Sequence, residues 1–317
     1  MDIDTAASPG RVVVGVDGTW NALGAVTWAA AEARLRGGAL HVLYAAADAM
    51  TATTRVPDVL DRAFATARRA EPDLPVTTAH VDDAPAPALL DAAKHADLLV
   101  VGMSDRDRTE EVLLGSVALD VSGRASCPVA VVRGERRLPG GHGPVLVGVD
   151  TADVDGPGLT VAFDDARRHG SGLVVLHVRR RPGHVRAHGS EEDRSAHVAA
   201  WNRLCDAVDR WSQRYPDVPV DVQVVRGNPT RTLLAAAAEA RLVVLGSRGR
   251  SAPARVVFGS TSREVLRLCP VPVVVVSPGA GDRDEGPVAV AAGQAAPIGQ
   301  ASARTERDHP HDHDRLW

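Results

Sequence analysis

Glycine and hydroxyl residues in the second half of the chain have a spacing typical of phosphate binding. Gly246 follows the apolar run Leu242–Leu245, Gly249 comes three residues later, and Gly259–Thr261 opens a segment with a helical pattern. Glycine lets the backbone approach a ligand closely because it has no Cβ. The unpaired N–H groups and the positive dipole end of a helix attract an anion. The segment therefore predicts a strand, a loop and a helix start that together hold phosphate.

The charge of this loop favours a polyphosphate ligand. Arg248, Arg250 and Arg255 give it a charge of +3, with no acidic residue to offset them. Thr261 and Glu264 have the spacing of a capping box, which would fix the start of the helix. The alternative interpretation is that the glycines only permit tight turns. That explanation is enough for any single glycine, but the complete set favours a phosphate site.

The sequence pattern occurs twice along the chain. Five pairs of segments recur in the same order: Arg11–Asp17 and Pro144–Asp150, Ala39–Leu43 and Leu173–Val178, Asp97–Gly102 and Arg241–Gly246, Leu113–Ser116 and Val257–Ser260, Cys127–Val132 and Val271–Val276. We therefore predict a duplicated domain, with copy one at residues 1–133, a linker at 134–143 and copy two at 144–277. Residues 278–317 show no periodicity and are expected to form a disordered tail.

Both copies alternate short apolar runs with longer segments rich in Ala, Leu and Arg. Apolar runs without polar interruption indicate strands buried on both faces, hence a parallel sheet covered by helices. The predicted fold class is α/β, with two tandem, open, parallel five-stranded sheets flanked by helices. Strands are predicted near residues 11–16, 39–45, 76–81, 97–101, 129–132, 145–149, 172–178, 220–225, 241–245 and 273–276. Helices are predicted near residues 20–36, 57–70, 86–94, 116–124, 157–169, 191–213, 230–238 and 260–268, and a loop at 179–190.

Composition and charge exclude several classes of protein. The net charge of −4 over 317 residues lacks the basic surplus of a nucleic-acid binder. The three cysteines form no CxxC pair, so neither a disulfide framework nor a zinc site is expected. No apolar run approaches the roughly 18–20 residues that a membrane helix needs, and no signal peptide is recognisable. We expect a soluble cytoplasmic protein with neither nucleic acid nor membrane as a partner.

These features together resemble a tandem member of the universal stress protein family. The family's nucleotide pattern, G-x2-G-x9-G-[ST], is fulfilled by Gly246, Gly249, Gly259 and Ser260. An Asp after the first strand, a Leu-His-Val second strand and a Pro-Val final strand match in both copies. The resemblance covers residues 11–133 and 144–277. It implies a Rossmann-like fold of the adenine nucleotide alpha hydrolase-like type.

The resemblance also implies a ligand, which is ATP, with Mg²⁺ as an optional companion ion. Asp150 would lie near the ribose and adenine, and the backbone of Val178 would contact adenine, flanked by Gly148 and Leu245. The remaining predicted site residues would hold the phosphates: Gly246, Gly249, Gly259, Ser260 and Thr261. The two copies would pair through their last strands, Val129–Val132 and Val273–Val276, and two chains would form a homodimer.

Copy one departs from the nucleotide pattern. Gly102, Gly115 and Ser116 keep their places, but Asp105 stands where copy two has Gly249. Four acidic residues against two arginines give the copy-one loop a charge of −2. A carboxylate at this place repels phosphate, and its Cβ obstructs close approach. We therefore expect that copy two binds ATP and that copy one binds it weakly or not at all.

The predicted function is a non-catalytic, nucleotide-dependent regulator of a stress or dormancy response. The sequence shows no nucleophile–base pair and no carboxylate cluster with metal spacing, so no catalytic residue and no metal ligand is assigned. The alternatives are a slow ATP hydrolase and a nucleotide-independent scaffold whose glycines are relics. Adenylating proteins of similar fold use an S-G-G-x-D-S loop after the first strand. This chain has Asp17-Gly-Thr and Asp150-Thr-Ala at that place, so adenylation is disfavoured.

Overall fold

The apolar runs of both copies form parallel strands. The computed structural model describes residues 10–47, 49–103, 115–133, 143–151, 154–180, 191–247 and 259–281. The strands of copy one are β1 (Val12–Val16), β2 (Leu40–Ala45), β3 (Val76–Val81), β4 (Leu98–Gly102) and β5 (Val129–Val132). Those of copy two are β6 (Val145–Gly148), β7 (Leu173–Arg180), β8 (Val220–Gly227), β9 (Leu242–Gly246) and β10 (Val273–Val276).

Helices connect these strands and cover both faces of the sheet. In copy one they are α1 (Trp20–Leu35), α2 (Ala49–Ala70), α3 (Pro85–Ala93) and α4 (Ser116–Arg124). In copy two they are α5 (Pro157–Arg168), α6 (Glu191–Arg214), α7 (Pro229–Ala237) and α8 (Ser260–Leu268). Alternating side chains of each strand face opposite layers of helices, so Val12 and Val14 belong to the core under α1, α2, α5 and α6, whereas Val13 belongs to the core under α3, α4, α7 and α8.

The strands join into one ten-stranded sheet, in the order β3-β2-β1-β4-β5-β10-β9-β6-β7-β8. Within each copy the neighbouring strands are parallel. At the centre, β5 and β10 are antiparallel, with Val131 opposite Val273 and Val129 opposite Val275. The α/β class with parallel strands flanked by helices is confirmed, and the two predicted sheets are continuous through this central pair of strands.

Several predicted boundaries are wrong. Helix α2 begins at Ala49, so Pro57, predicted to start it, lies inside the helix. Strand β7 continues to Arg180 because its last two residues pair with Arg226 and Gly227 of β8, so the predicted loop at 179–190 starts too early. The predicted disordered tail begins with a short 3-10 turn at Pro278–Gly281, and residues 282–317 lie outside the described part of the chain.

A buried ion pair and a buried histidine–carboxylate contact connect α1 of copy one to α5 of copy two. The Arg36 guanidinium, at the end of α1, lies 2.8 Å from the Asp165 carboxylate of α5. In the reverse direction, His169 Nε2 at the end of α5 lies 2.9 Å from Glu32 Oε1 of α1. Glu32 and Asp165 are both buried, so the two copies are joined by reciprocal polar contacts as well as by the central strand pair.

No helix among the described residues is long and apolar enough to cross a membrane. The cysteines Cys127 and Cys269 are buried in the core next to the central strands. Burial raises the pKa of Cys269 to about 11, so its thiol is neutral at physiological pH and serves as a small apolar side chain.

Candidate functional site

A cavity of about 920 Å³ opens at the carboxyl ends of the copy-two strands. Strand β6 lies between β9 and β7 there, which is the switch point where an open parallel sheet binds ligands. Eight of the nine predicted site residues line this cavity: Gly148, Asp150, Val178, Leu245, Gly246, Gly259, Ser260 and Thr261. The ninth, Gly249, lies outside the described residues, as do Arg248, Arg250 and Arg255.

Two hydrogen bonds hold the start of α8 against the end of β9. Gly259 N donates to the carbonyl of Ser247 over 3.2 Å, and Ser262 Oγ donates to the carbonyl of Gly246 over 3.0 Å. Gly259 is the N-cap residue, and within the described part of the chain no side chain caps the helix there. The first turn of α8 therefore presents its N–H groups at the edge of the cavity without the side-chain acceptor that usually satisfies them.

The predicted capping box at this helix is wrong. Thr261 is the second residue of α8 rather than its cap, and its hydroxyl accepts a hydrogen bond from Arg180 over 3.4 Å. Glu264 forms an ion pair with Arg267, one turn further along the helix, over 3.2 Å. Thr261 and Glu264 have the spacing of a capping box, but Thr261 lies two residues after the true cap of the helix, Gly259.

Two of the cavity glycines differ in what a side chain at their position would meet. A Cβ on Gly148 would lie 2.7 Å from Leu245 Cδ2 and 3.0 Å from Leu233 Cδ2, so a larger residue there would displace the ends of these two side chains beneath the cavity. A Cβ on Gly259 would meet no described atom within 4 Å, and the backbone φ of −68° suits any residue. The described residues around Gly259 therefore leave room for a side chain, and Gly259 itself lines the cavity.

His177 fixes the turn that carries Asp150. Its Nδ1 donates to the carbonyl of Val149 over 2.9 Å, and it lines the cavity next to Val178. The predicted alignment of the Leu-His-Val segments of β2 and β7 is wrong in register. Gly15 lies beside Leu43 and Gly148 beside Leu176, so the counterpart of His177 in copy one is the next residue, Tyr44, rather than His41.

Ser247 is a cavity residue that the sequence reasoning missed. It follows Gly246, lines the cavity and is 0 % exposed. Its Oγ has no hydrogen-bond partner among the described residues. A buried hydroxyl without a partner is unfavourable, and a polar residue directly after a buried strand was the signal available in the sequence. The copy-one residue after Gly102 is Met103, which has no hydroxyl.

Two arginines at the end of β7 were also missed, because the sequence assigned them to a loop. Arg179 and Arg180 both line the cavity. Arg179 Nη2 lies 3.1 Å from Asp193 Oδ1 at the start of α6. Arg180 reaches across the end of β6 to the hydroxyl of Thr261, so it places a positive charge at the start of α8.

The corresponding place in copy one is shaped differently. Helix α1 begins at Trp20, the third residue after Asp17, whereas α5 begins at Pro157, the seventh after Asp150. The earlier start brings the first turn of α1 onto Gly102, where a Cβ would lie 3.0 Å from Asn21 O and 3.2 Å from the Ala22 backbone. The Asp17 carboxylate accepts hydrogen bonds from the backbone N–H and the hydroxyl of Thr19, the cap of α1. Asp105 lies outside the described residues.

Comparison with known proteins identifies the family. The sequence profile of the universal stress protein family matches residues 9–133 and again residues 142–277. Universal stress protein Rv2005c of Mycobacterium tuberculosis is 33% identical over 286 residues, covering 83% of this chain and 96% of that protein. A universal stress protein structure from Archaeoglobus fulgidus has a TM-score of 0.62 at 20% identity, covering 85% of this chain and 99% of that chain. A universal stress protein solved in complex with cAMP is 30% identical with a TM-score of 0.35, covering 40% of this chain and 98% of that chain.

The profile matches nearly all of both copies, and the curated relative aligns over almost its whole length. The similarity therefore extends through both halves of the ten-stranded sheet. The chain belongs to the universal stress protein family, as a member with two tandem copies of the family domain.

Proposed function

We propose that the copy-two cavity binds ATP and that the chain is a non-catalytic, nucleotide-dependent regulator. The observation that carries the proposal is the uncapped start of α8, which faces a cavity at the switch point of the sheet with open space at Gly259. Unpaired N–H groups, the positive end of the helix dipole and room for close approach are the requirements of a phosphate site.

The proposed contacts follow the order of the strand ends. The Asp150 carboxylate would accept hydrogen bonds from the ribose hydroxyls, and the Val178 backbone would bind adenine between Gly148 and Leu245. Gly246 and Gly249 would let the loop approach the phosphates, with Gly259, Ser260 and Thr261 contributing N–H groups and hydroxyls from the helix start. Mg²⁺ would accompany the ATP as a counterion of its phosphates.

We propose that copy one does not share this activity. The first turn of α1 packs on Gly102, where copy two has cavity at Gly246. The sequence places Asp105 and a loop charge of −2 in the same region, which would repel a polyphosphate. Copy one would then serve as a partner for copy two, through the β5–β10 pair and the contacts between α1 and α5.

The proposed regulatory role rests on two points. The chain belongs to the family, and no catalytic residue is assigned at the proposed nucleotide site. A ligand that binds the folded chain alone stabilises it, by about 2.7 kcal/mol at 100 times its Kd. The chain would therefore respond to the nucleotide supply during stress or dormancy. We further propose that it acts in the cytoplasm, where ATP is produced and consumed, and that two chains form a homodimer.

Isothermal titration of the full chain with ATP and Mg²⁺ tests the proposal. We expect one ATP bound per chain, together with a rise in melting temperature at saturating nucleotide. No heat of binding and no shift in melting temperature at millimolar ATP would contradict it and favour the scaffold. Phosphate release measured on the same samples separates the regulator from the slow hydrolase, because the regulator should return intact ATP.

A further inference from the structure

Arg180 carries an unusual charge arrangement at the mouth of the cavity. Its Nη2 lies 3.4 Å from the hydroxyl of Thr261, in the first turn of α8. A cation next to the positive end of a helix is unfavourable, because the dipole at that end favours negative charge. Two positive features therefore face the same space, and an anion between them would relieve their repulsion.

In the part of the chain that the structure describes, two neighbouring arginines, unlike Arg180, have their charge neutralised by a carboxylate. Arg179 and Arg226 both pair with the Asp193 carboxylate, at the start of α6. Among the described residues, no carboxylate forms an ion pair with Arg180, whose side chain is exposed to solvent at the cavity mouth. The fold thus neutralises Arg179 internally and leaves Arg180 directed at Thr261.

A second, independent observation indicates a ligand at the same place. Ser247 lines the cavity and is 0 % exposed, and its Oγ has no hydrogen-bond partner among the described residues. Its carbonyl accepts from Gly259 N, so the unsatisfied hydroxyl is held directly beside the start of α8. An oxygen-rich ligand between Arg180 and α8 would supply what both groups lack.

We propose that Arg180 makes the copy-two site selective for nucleotides with more than one phosphate. The inference rests on the proposed function and names its ligand class more closely. A guanidinium donates two parallel hydrogen bonds to a phosphate. Arg180 spans the mouth from β7 to α8, so its donors meet the phosphates beyond the one closest to the ribose. A monophosphate does not extend to this position and gains nothing from the guanidinium.

Copy one has no arginine at the position that corresponds to Arg180. Because Tyr44 is the counterpart of His177, the counterpart of Arg180 is Ala47, which has no charge and lies beyond the end of β2. The pairing of Arg179 and Arg180 with β8 gives β7 its two additional residues relative to β2. The selectivity is therefore a property of copy two alone.

The test measures the affinities of the full-length chain for ATP, ADP and AMP at one ionic strength. The variants are Arg180→Ala and Arg180→Lys, and the matched control is Arg69→Ala, which removes an exposed arginine from α2 of copy one. Losing a charged hydrogen bond should weaken ATP binding roughly tenfold in Arg180→Ala. Arg180→Lys should fall in between, because it keeps the charge but loses the planar fork. AMP affinity should stay within about twofold of wild type.

The outcomes separate the two proposals. Equal weakening of ATP and AMP, or no weakening of either, would overturn the role of Arg180 while leaving the nucleotide site intact. Loss of ATP affinity in Arg69→Ala would also overturn it, since the effect would then follow net charge. Wild-type protein that binds none of the three nucleotides would overturn the proposed function itself. Should Arg180→Ala not fold, Arg180→Lys decides by whether its ratio of ATP to AMP affinity falls below that of wild type.

Discussion

Single residues at the cavity differ in whether the fold or a ligand explains them. A side chain on Gly148 would displace the ends of Leu233 and Leu245, whereas a Cβ on Gly259 would meet no described atom within 4 Å. The motif spacing pointed to Gly259 and the family resemblance pointed to Gly148, and both residues line the cavity. Neither could select Ser247 or Arg180, because one looks like an ordinary strand end and the other like part of a basic loop.

Ser247 offers a test of the cavity at the residue scale. We expect Ser247→Ala to weaken ATP binding about fivefold, which corresponds to one neutral hydrogen bond of about 1 kcal/mol. The melting temperature without ligand should not fall, because the hydroxyl that is removed has no partner in the described structure. Isothermal titration and thermal unfolding measure the two effects.

Ser122→Ala is the matched control for that variant. Ser122 is also 0 % exposed, and its Oγ likewise has no partner among the described residues, but it lies in α4 of copy one. The control should leave ATP affinity unchanged. Equal affinities of the two variants for ATP would show that the Ser247 hydroxyl does not contact the nucleotide.

At the level of elements, hydrophobic periodicity was enough to predict every strand of the sheet. Strands β3, β5 and β10 have the predicted bounds, because their apolar runs end at turns that the sequence marks. Contacts between distant elements decided the rest. Pairing with β8 extended β7 to Arg180, and hydrogen bonds to the end of β9 rather than a capping box fixed the start of α8.

The contact between α1 and α5 also joins elements that are distant in sequence. It leads to a prediction about the stability of the chain. Burial raises the pKa of Glu32, but contact with His169 and the charge of Arg36 outweigh this and hold the pKa below its usual value. Arg36→Met would leave two buried carboxylates, Glu32 and Asp165, without their shared cation. We expect the free energy of unfolding to fall by about 3 kcal/mol, as measured by urea denaturation.

The control for this variant is Arg124→Met. Arg124 pairs with Asp120 over 2.9 Å within α4, where the Arg124 side chain is exposed and that of Asp120 is partly exposed. Exposed ion pairs contribute about 0–1 kcal/mol, so the control should change stability little. Equal losses in the two variants would show that the charges between the copies do not stabilise their contact.

At the scale of the whole molecule, the two copies share a sheet but differ at their ligand edges. The seam is nearly symmetric: Ser277 Oγ donates to the carbonyl of Ala125 over 2.6 Å, and Arg133 donates to the carbonyl of Arg267. The edges at the carboxyl ends of the strands are not symmetric, because α1 covers Gly102 in copy one whereas Gly246 opens to the cavity in copy two. The duplicated sequence showed the difference in loop charge, but the earlier start of α1 depends on packing that no motif encodes.

The central claim is therefore that copy two alone binds ATP, and two equivalent caps allow a direct test. Gly259 caps α8 with φ −68° and ψ 148°, and Gly115 caps α4 with φ −59° and ψ 143°, in both cases without a side-chain hydrogen bond. Aspartate at either position can accept the N–H groups of the first turn, stabilising the helix by about 0.5 kcal/mol. In copy two it would also fill the place of a phosphate with a negative charge.

Isothermal titration of Gly259→Asp and Gly115→Asp with ATP is the most direct measurement. We predict that Gly115→Asp binds one ATP per chain with wild-type affinity, and that Gly259→Asp binds at least about a hundredfold more weakly, because phosphate would meet a like charge at the helix start. ATP binding that survives in Gly259→Asp, or that is lost in Gly115→Asp, would contradict the assignment of the site to copy two.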